Sequence, residues 1–277
     1  MRAGEIGEDE KEMTGYISHK KIKVAGVPQF SGVDAMLIPS DLAYYGIYED
    51  FVSCGRDTDQ GGHLPPPGWT LRHTGAGSLV TCADLAGGWL TLQGGAANND
   101  TVQITLGDAT IPGGGAFLVA DNREIWFEAR LMHTMVGETN IGIGLIDPAA
   151  ADYLADDGAA PPNVGTIGLF TLDIGHAGPC PAHRWYSVGR KAAAEAYGDT
   201  GIAIVAATPI ILGFHISGIA AGALYVADFF VNRVQIPAAQ QVFANIPLTN
   251  LMPFVAVKNG AVPENVMVDY IMCVQMR

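Results

Sequence analysis

Short strand-like segments separated by turn residues recur from residue 69 to the end of the chain. Residues 102–106 alternate cleanly, and residues 124–132 place Ile, Phe, Ala and Leu on one face and Trp, Glu and Arg on the other. A helical repeat is discernible only at residues 187–197, where the alanines predict a short helix. Roughly ten closely spaced strands predict two packed antiparallel sheets, because a single sheet would expose too much apolar area. The predicted fold is an all-β, two-sheet antiparallel β-sandwich.

Two of the predicted strands have unusual compositions. Residues 141–145 alternate Ile or Leu with glycine, which permits a close backbone approach on the glycine face. Residues 266–276 predict a closing strand that carries one apolar face throughout its length. The side chains assigned to that face are Val266, Val268, Tyr270, Met272, Val274 and Met276.

The first 45 residues differ from the rest of the chain. A cluster of acids, a cluster of lysines and short apolar pieces such as residues 36–38 follow one another without sustained periodicity. We therefore predict an extended N-terminal arm over residues 1–45 and a sandwich domain over residues 46–277. The apolar pieces would need a neighbour's surface, so the arm is expected to contact other chains. A disordered tail is the alternative.

The charge balance limits the partners. Lys and Arg number 15 against 28 Asp and Glu, a net charge of −13 that repels phosphate backbones and argues against nucleic-acid binding. Only 16% of residues are charged, against about 25% in a typical domain. Much of the surface is therefore expected to be covered by something other than water.

One long stretch has the length and the lack of charge of a membrane span. Residues 200–227 contain no Asp, Glu, Lys or Arg, but they include several glycines and Pro209, and no basic residue anchors either end. We predict two or three successive strands here and no membrane partner. The uncharged Ala- and Gly-rich face of these strands then needs a cover, which contact between subunits would supply.

The spacing of the four cysteines matches no metal-binding or redox motif. Cys54, Cys82, Cys180 and Cys273 are scattered without a CxxC pair, and the N-terminus shows no secretory signal pattern. Free thiols are predicted, with a Cys54–Cys82 bridge as the alternative.

The sequence offers one candidate arrangement of the acidic side chains that hydrolyse glycans, and this arrangement lacks an acid. Glu124 and Glu128 share a face of one predicted strand, but Trp126 stands between them where a third acid would be needed. Glu128 is better interpreted as the ion-pair partner of Arg130. We predict no hydrolase activity and no catalytic residue.

Metal-ligating groups occur in three loops: His176, Cys180 and His183; Asn98, Asn99 and Asp100; Asp156 and Asp157. The first group lacks a nearby fourth ligand, and Asn and Asp commonly satisfy the backbone of turns. No metal site and no cofactor are predicted.

The four tryptophans, Trp69, Trp89, Trp126 and Trp185, could stack on sugars, although packing is the commoner fate of tryptophan.

The order of these features resembles the concanavalin-A-like lectin/glucanase jelly roll, particularly the versions found in structural proteins of bacteriophages. The resemblance covers roughly residues 46–277. The matching segments are residues 48–51 (YEDF), 67–69 (PGW), 87–92 (GGWLTL), 98–100 (NND), 125–131 (IWFEARL), 140–147 (NIGIGLID), 224–228 (LYVAD) and 268–275 (VDYIMCVQ).

The resemblance implies a non-enzymatic virion structural protein, a capsid decoration or cement protein. Its expected partners are the major capsid protein or other shell subunits and further copies of itself, as a homotrimer. It would be assembled in the host cytoplasm and lie on the capsid exterior. A glycan-binding, lectin-like module of a head or tail fibre is the alternative, and an enzyme is a third class.

Overall fold

The computed structural model describes residues 44–51, 55–56, 63–64, 68–75, 79–83, 88–107, 115–134, 139–147, 154, 165–171, 184–191, 194–217, 225–260, 262 and 264–276. These residues form nineteen strands and two single-turn 3₁₀ helices, Pro237–Ala239 and Phe243–Asn245. The strands are β1 (Tyr44–Glu49), β2 (Gly55–Arg56), β3 (His63–Leu64), β4 (Trp69–His73), β5 (Leu79–Ala83), β6 (Trp89–Gln93), β7 (Thr101–Leu106), β8 (Phe117–Leu118), β9 (Ile125–His133), β10 (Asn140–Ile146), β11 (Thr166–Thr171), β12 (Arg184–Lys191), β13 (Ala194–Ala203), β14 (Ile210–Ser217), β15 (Val226–Val231), β16 (Val234–Gln235), β17 (Gln241–Val242), β18 (Asn250–Lys258) and β19 (Asn265–Met276).

Two antiparallel sheets pack face to face and confirm the predicted sandwich. The first sheet has nine strands in the order β16-β15-β14-β9-β19-β6-β5, with β1 beside β19 and β17 beside β15. The second sheet has eight strands in the order β13-β12-β11-β10-β18-β7-β4, with β8 beside β18. β2 and β3 form a separate pair. The first described strand begins at Tyr44, and the predicted arm lies outside the described residues except for Tyr44 and Tyr45.

The core lies between the sheets and follows the period of two. On β9, the apolar side chains of alternate residues from Ile125 to Leu131 are fully buried in the main cluster, as their spacing predicts. Ile141, Ile143 and Leu145 of β10 meet them from the second sheet. Aromatic stacking adds to this packing, with the rings of Phe127 and Phe214 5.0 Å apart.

The face predicted for the closing strand is wrong beyond Val268. The pairing of β19 with β9 shifts register between Val268 and Tyr270, which is a β-bulge at Asp269. The extra residue exchanges the two faces, so that Ile271 and Cys273 enter the core. Tyr270, Met272 and Val274 therefore lie on the outer face of the first sheet.

The short helix predicted over residues 187–197 is also wrong. Residues 187–191 belong to β12 and residues 194–197 to β13, and the two strands pair antiparallel. Cross-strand contacts override the helix preference of the alanines, because Arg190 and Glu195 form an ion pair of 3.1 Å across the hairpin.

The uncharged run of residues 200–227 does contain strands, as predicted: the end of β13, all of β14 and the start of β15. No helix in the described part of the chain is long and apolar enough to span a membrane.

The outer face of the second sheet is packed rather than open. Side chains of β10, β11, β12 and β18 form a second buried apolar cluster, which Leu154 joins: Ile146, Phe170, Val188, Met252, Phe254 and Ala256. The predicted close backbone approach at the β10 glycines is confirmed at Gly144, where a Cβ would lie 2.3 Å from the carbonyl oxygen of Ile167, whereas a Cβ at Gly142 would meet the ring of Phe170 at 2.5 Å.

Gly168 of β11, which lies opposite Gly144 of β10, should be difficult to replace. A Cβ there would lie 2.2 Å from the carbonyl oxygen of Ile143, so Gly168→Ala must separate β10 from β11. We expect the free energy of unfolding to fall by about 2 kcal/mol, measured by urea denaturation. Gly189→Ala is the control, since its nearest neighbour lies 3.0 Å away. Equal losses in the two variants would contradict the proposed overlap.

Candidate functional site

Glu128 lies at the centre of a closed ion-pair cluster on the outer face of the first sheet. Its side chain is only 1% exposed. Arg233 donates to both carboxylate oxygens, from Nε at 3.1 Å and from Nη2 at 3.0 Å, and the Tyr270 hydroxyl donates at 2.6 Å. Burial, followed by the charge of Glu128, raises the pKa of Tyr270 well above its usual value. The carboxylate of Glu128 is thus held by two hydrogen bonds from a guanidinium and one from a phenol, of the charge-assisted kind that is stronger than a neutral hydrogen bond.

The ion pair predicted between Glu128 and Arg130 is wrong. Arg130 instead contacts Asp269 at 2.5 Å, and its guanidinium lies over the ring of Trp89. The bulge at Asp269 supplies this closer partner. Arg233 follows β15 with φ of +66°, and no spacing in the sequence connects it to Glu128.

Glu124 has a different partner. Its Oε2 lies 3.3 Å from Nε2 of His215, whose ring stacks on Trp126 with centroids 4.9 Å apart. Burial lowers the pKa of His215, against the opposing effect of Glu124. The two acids considered for hydrolysis are thus separated by the Trp126–His215 stack, and each is engaged in its own contact.

The predicted absence of a metal site concerns three loops, of which one, residues 98–100, lies within the described residues. Asp100 is buried, and its Oδ2 accepts from the backbone N–H of Ala97 at 2.9 Å, which is a turn-stabilising contact. Residues 156–157 and 176–183 lie outside the description. Within the described ranges, no three His, Cys, Asp or Glu side chains are grouped to hold a metal ion.

The four tryptophans do not form exposed platforms. Trp69, Trp89, Trp126 and Trp185 are all buried, so packing rather than sugar stacking is their role in this structure.

Of the cysteines, Cys273 is a free thiol buried in the core, where burial raises its pKa. The alternative prediction of a Cys54–Cys82 disulfide involves Cys54, which lies outside the described residues.

An apolar surface lies where β13 leads into β14, at one end of the sandwich. We call residues 201–209 the end surface. Val205 is 59% exposed, Ala203, Ala206, Ala207 and Pro209 are also exposed, and the segment contains no charged residue. Ile202 and Ile204 turn inward and pack against the core.

A cavity of about 110 Å³ lies beneath the end surface and is partly open to solvent. Its walls come from β9, β12, β13 and β14, with the turn after β15 at the rim; they include Leu131, His133, Trp185, Ile202, Ile210 and Asn232. Backbone contacts fix these walls: the N–H of Ala207 donates to the His133 carbonyl at 2.7 Å, and that of Ile211 donates to Asn232 Oδ1 at 3.0 Å.

His133 and Glu264 form a buried pair at this cavity. Their side chains are 3% and 2% exposed, and His133 Nε2 lies 2.7 Å from Glu264 Oε2 in a contact that is not aligned as a hydrogen bond. Within the described structure, Nδ1 of His133 has no hydrogen-bond partner. Sequence reasoning did not identify this pair, because its members are separated by 131 positions and neither belongs to a motif.

Comparisons with known proteins identify the fold class. No protein-family model and no curated protein matches the chain. Among solved structures, the chain is similar to the carbohydrate recognition domain of Emp47p, with a TM-score of 0.51, 12% identity and coverage of 87% of this chain and 98% of that one. It is also similar to an endo-1,3-β-glucanase from Streptomyces sioyaensis, with a TM-score of 0.52, 12% identity and coverage of 86% and 97%.

Peanut lectin is a third structure of this kind, with a TM-score of 0.50, 6% identity and coverage of 84% of this chain and 98% of the lectin. The protein therefore has the concanavalin-A-like, legume-lectin-like jelly-roll fold that its sequence resembles. At such identities the likeness concerns the fold, and the three proteins include both lectin domains and an enzyme.

Proposed function

We propose that the protein is a non-enzymatic virion structural protein, a decoration or cement protein on the exterior of a capsid, assembled in the host cytoplasm. The observation that carries the proposal is the end surface: an exposed, apolar, charge-free segment on a chain with a net charge of −13. The buried contacts of Glu128 with Arg233 and Tyr270, and the separation of Glu124 from Glu128 by Trp126 and His215, support the absence of a hydrolase function.

The end surface is best suited to a second copy of this chain. Two copies that each carry a net charge of −13 repel one another, and charge-free surface is where that repulsion is smallest at contact. Screening is strong beyond a Debye length of about 8 Å at physiological salt, so short-range apolar contact can prevail. Ala203, Ala206 and Ala207 also allow close approach. We propose a closed homotrimer, which suits a local symmetry axis of a shell.

The arm completes the proposed attachment. Residues 1–45 would bind the major capsid protein or other shell subunits through apolar pieces such as residues 36–38. An arm loses chain entropy when it orders, but several such contacts from one oligomer add through multivalency.

Sedimentation velocity of the full chain tests the self-association. At micromolar concentration we expect a species larger than the 29.1 kDa monomer. It should persist at about 1 M salt, where the Debye length falls to about 3 Å and charge repulsion is weaker still. A monomer at both salt concentrations would contradict the homo-oligomer, and dissociation at high salt would show that ion pairs rather than apolar contacts hold it.

Glycan binding is the second candidate, favoured by the fold likeness to the Emp47p carbohydrate recognition domain and peanut lectin. The burial of all four tryptophans weighs against it. We expect a glycan array probed with the full chain to give no selective signal. Selective binding that is retained when the oligomer is dissociated would favour the lectin-like module instead.

A further inference from the structure

The cavity beneath the end surface has the size of one aliphatic side chain. Leu131, Trp185 and Ile210 are among its apolar walls, and Val205 and Pro209 line it while remaining exposed. No Asp, Glu, Lys or Arg belongs to the part of the described structure that lines it. Its volume of about 110 Å³ is somewhat smaller than the apolar cavity of about 150 Å³ that binds benzene, so it has room for one branched apolar side chain.

The N-terminal part of the chain contains one segment that matches this surface. Residues 36–38 (Met-Leu-Ile) are the longest run of large aliphatic side chains in residues 1–43, which lie outside the described structure. The nearest charged residues are Asp34 and Asp41, so the run brings no ion to the contact. A charge-free surface can bury such a run without removing a charge from water.

Residues 36–38 are attached at the opposite end of the sandwich from the cavity. β1 begins at Tyr44, which pairs with Met276 near the end of β19. The cavity lies beside the start of the same strand, because Val266 of β19 pairs with His133 in the cavity wall. Ten residues of β19 separate Val266 from Met276, which is about 33 Å at a rise of about 3.3 Å per residue.

This distance prevents residues 36–38 from reaching the cavity of their own copy. Six to eight residues connect them to Tyr44. A fully extended chain spans at most about 3.6 Å per residue, so the reach is at most about 22 Å for Ile38 and about 29 Å for Met36. β1 and the cavity wall β9 also lie on opposite sides of β19, which adds to the distance to be covered. The segment of a second copy has no such limit.

We propose that residues 36–38 of one copy bind the end surface of the next copy, with the central side chain, Leu37, in the cavity. The contact is head-to-tail, because the arm leaves one end of the sandwich and the cavity opens at the other. Head-to-tail contacts close into rings when the rotation between copies allows it, as the proposed trimer requires. The inference rests on the proposed self-association and names the segment of the partner that meets the end surface. It leaves residues 1–34 of the arm for the major capsid protein.

Disulfide trapping tests the segment and its position together. Full-length Leu37→Cys and Val205→Cys chains are mixed at a concentration where the wild type is assembled, and the mixture is oxidised with glutathione disulfide. We expect a cross-linked pair with one chain of each kind, formed at least about tenfold faster than in a mixture of Leu37→Cys with Val242→Cys, because docking raises the effective concentration of the two thiols. Val242 is the matched control, since it is 45% exposed but lies outside the end surface. Peptide mass spectrometry separates this cross-link from any that involves a native cysteine.

A single chain that carries both Leu37→Cys and Val205→Cys tests whether the contact joins two copies. We expect cross-linked multimers when the chain is assembled, and no disulfide between these two positions when it is diluted to the monomer. A disulfide within one monomer would contradict the proposal, because it would show that the segment reaches the cavity of its own copy.

Leu37→Ala tests the role of the buried side chain. We expect self-association to weaken at least about tenfold in sedimentation velocity, since a buried leucine side chain would be lost from each contact. Leu42→Ala is the control within the arm and should associate like the wild type.

The sedimentation of the wild type separates the two ways in which the proposal can fail. If the wild type is assembled, equal cross-linking of Val205→Cys and Val242→Cys, or equal association of Leu37→Ala and Leu42→Ala, would overturn the docking of residues 36–38 and leave the self-association in place. A wild type that sediments as a monomer would overturn the self-association itself, and this inference with it.

Discussion

Arg233→Met is expected to lower the free energy of unfolding by about 3 kcal/mol, because it leaves the carboxylate of Glu128 buried without its cation. Glu128 is 1% exposed and receives two hydrogen bonds from Arg233, against one from Tyr270. We expect a loss near the lower end of the range for broken buried pairs, since the Arg233 side chain is itself 37% exposed and partly hydrated.

Urea denaturation measures this loss, and Arg184→Met is the matched control. Arg184 pairs with Asp199 at 3.2 Å, but both side chains are more than 40% exposed, so its removal should cost less than about 1 kcal/mol. If the two variants lost equal stability, the Glu128 cluster would not be the structural unit described above, and its carboxylate would again be a candidate for chemistry.

The sandwich could be predicted because it depends on local periodicity. Alternation over residues 124–132 identifies the core face of β9 without any knowledge of its neighbours. The same rule assigned the wrong face beyond Val268, because a bulge inserts one residue and leaves no clear sign in the sequence. The alanines of residues 192–194 likewise favour a helix locally, and only cross-strand partners such as Arg190 and Glu195 determine the hairpin.

The candidate sites depend on contacts between distant residues. Arg233 reaches Glu128 across 105 positions, and Glu264 reaches His133 across 131, so neither pair has a spacing that a single sequence reveals. The end surface was partly predictable. Its lack of charge is visible in residues 200–227, but the exposure of residues 201–209, at the end of β13 and in its connection to β14, depends on how the strands pack.

Val205→Asp is expected to weaken self-association at least about a hundredfold, because each copy would bring an additional negative charge into the proposed contact and like charges at an interface cost several kcal/mol. Val205 is the most exposed large apolar side chain of the end surface, so the change should leave the stability of the monomer within about 0.5 kcal/mol.

Sedimentation velocity of this variant beside Val242→Asp tests the central claim most directly. Val242 is also exposed, and it pairs with Val226 at the opposite end of β15 from the turn that borders the cavity. The two variants carry the same change in net charge, so only the position of the new carboxylate differs. We predict that Val205→Asp sediments as a monomer at concentrations where Val242→Asp and the wild type remain assembled; dissociation of both variants, or of neither, would contradict the assignment of the end surface as the contact between copies.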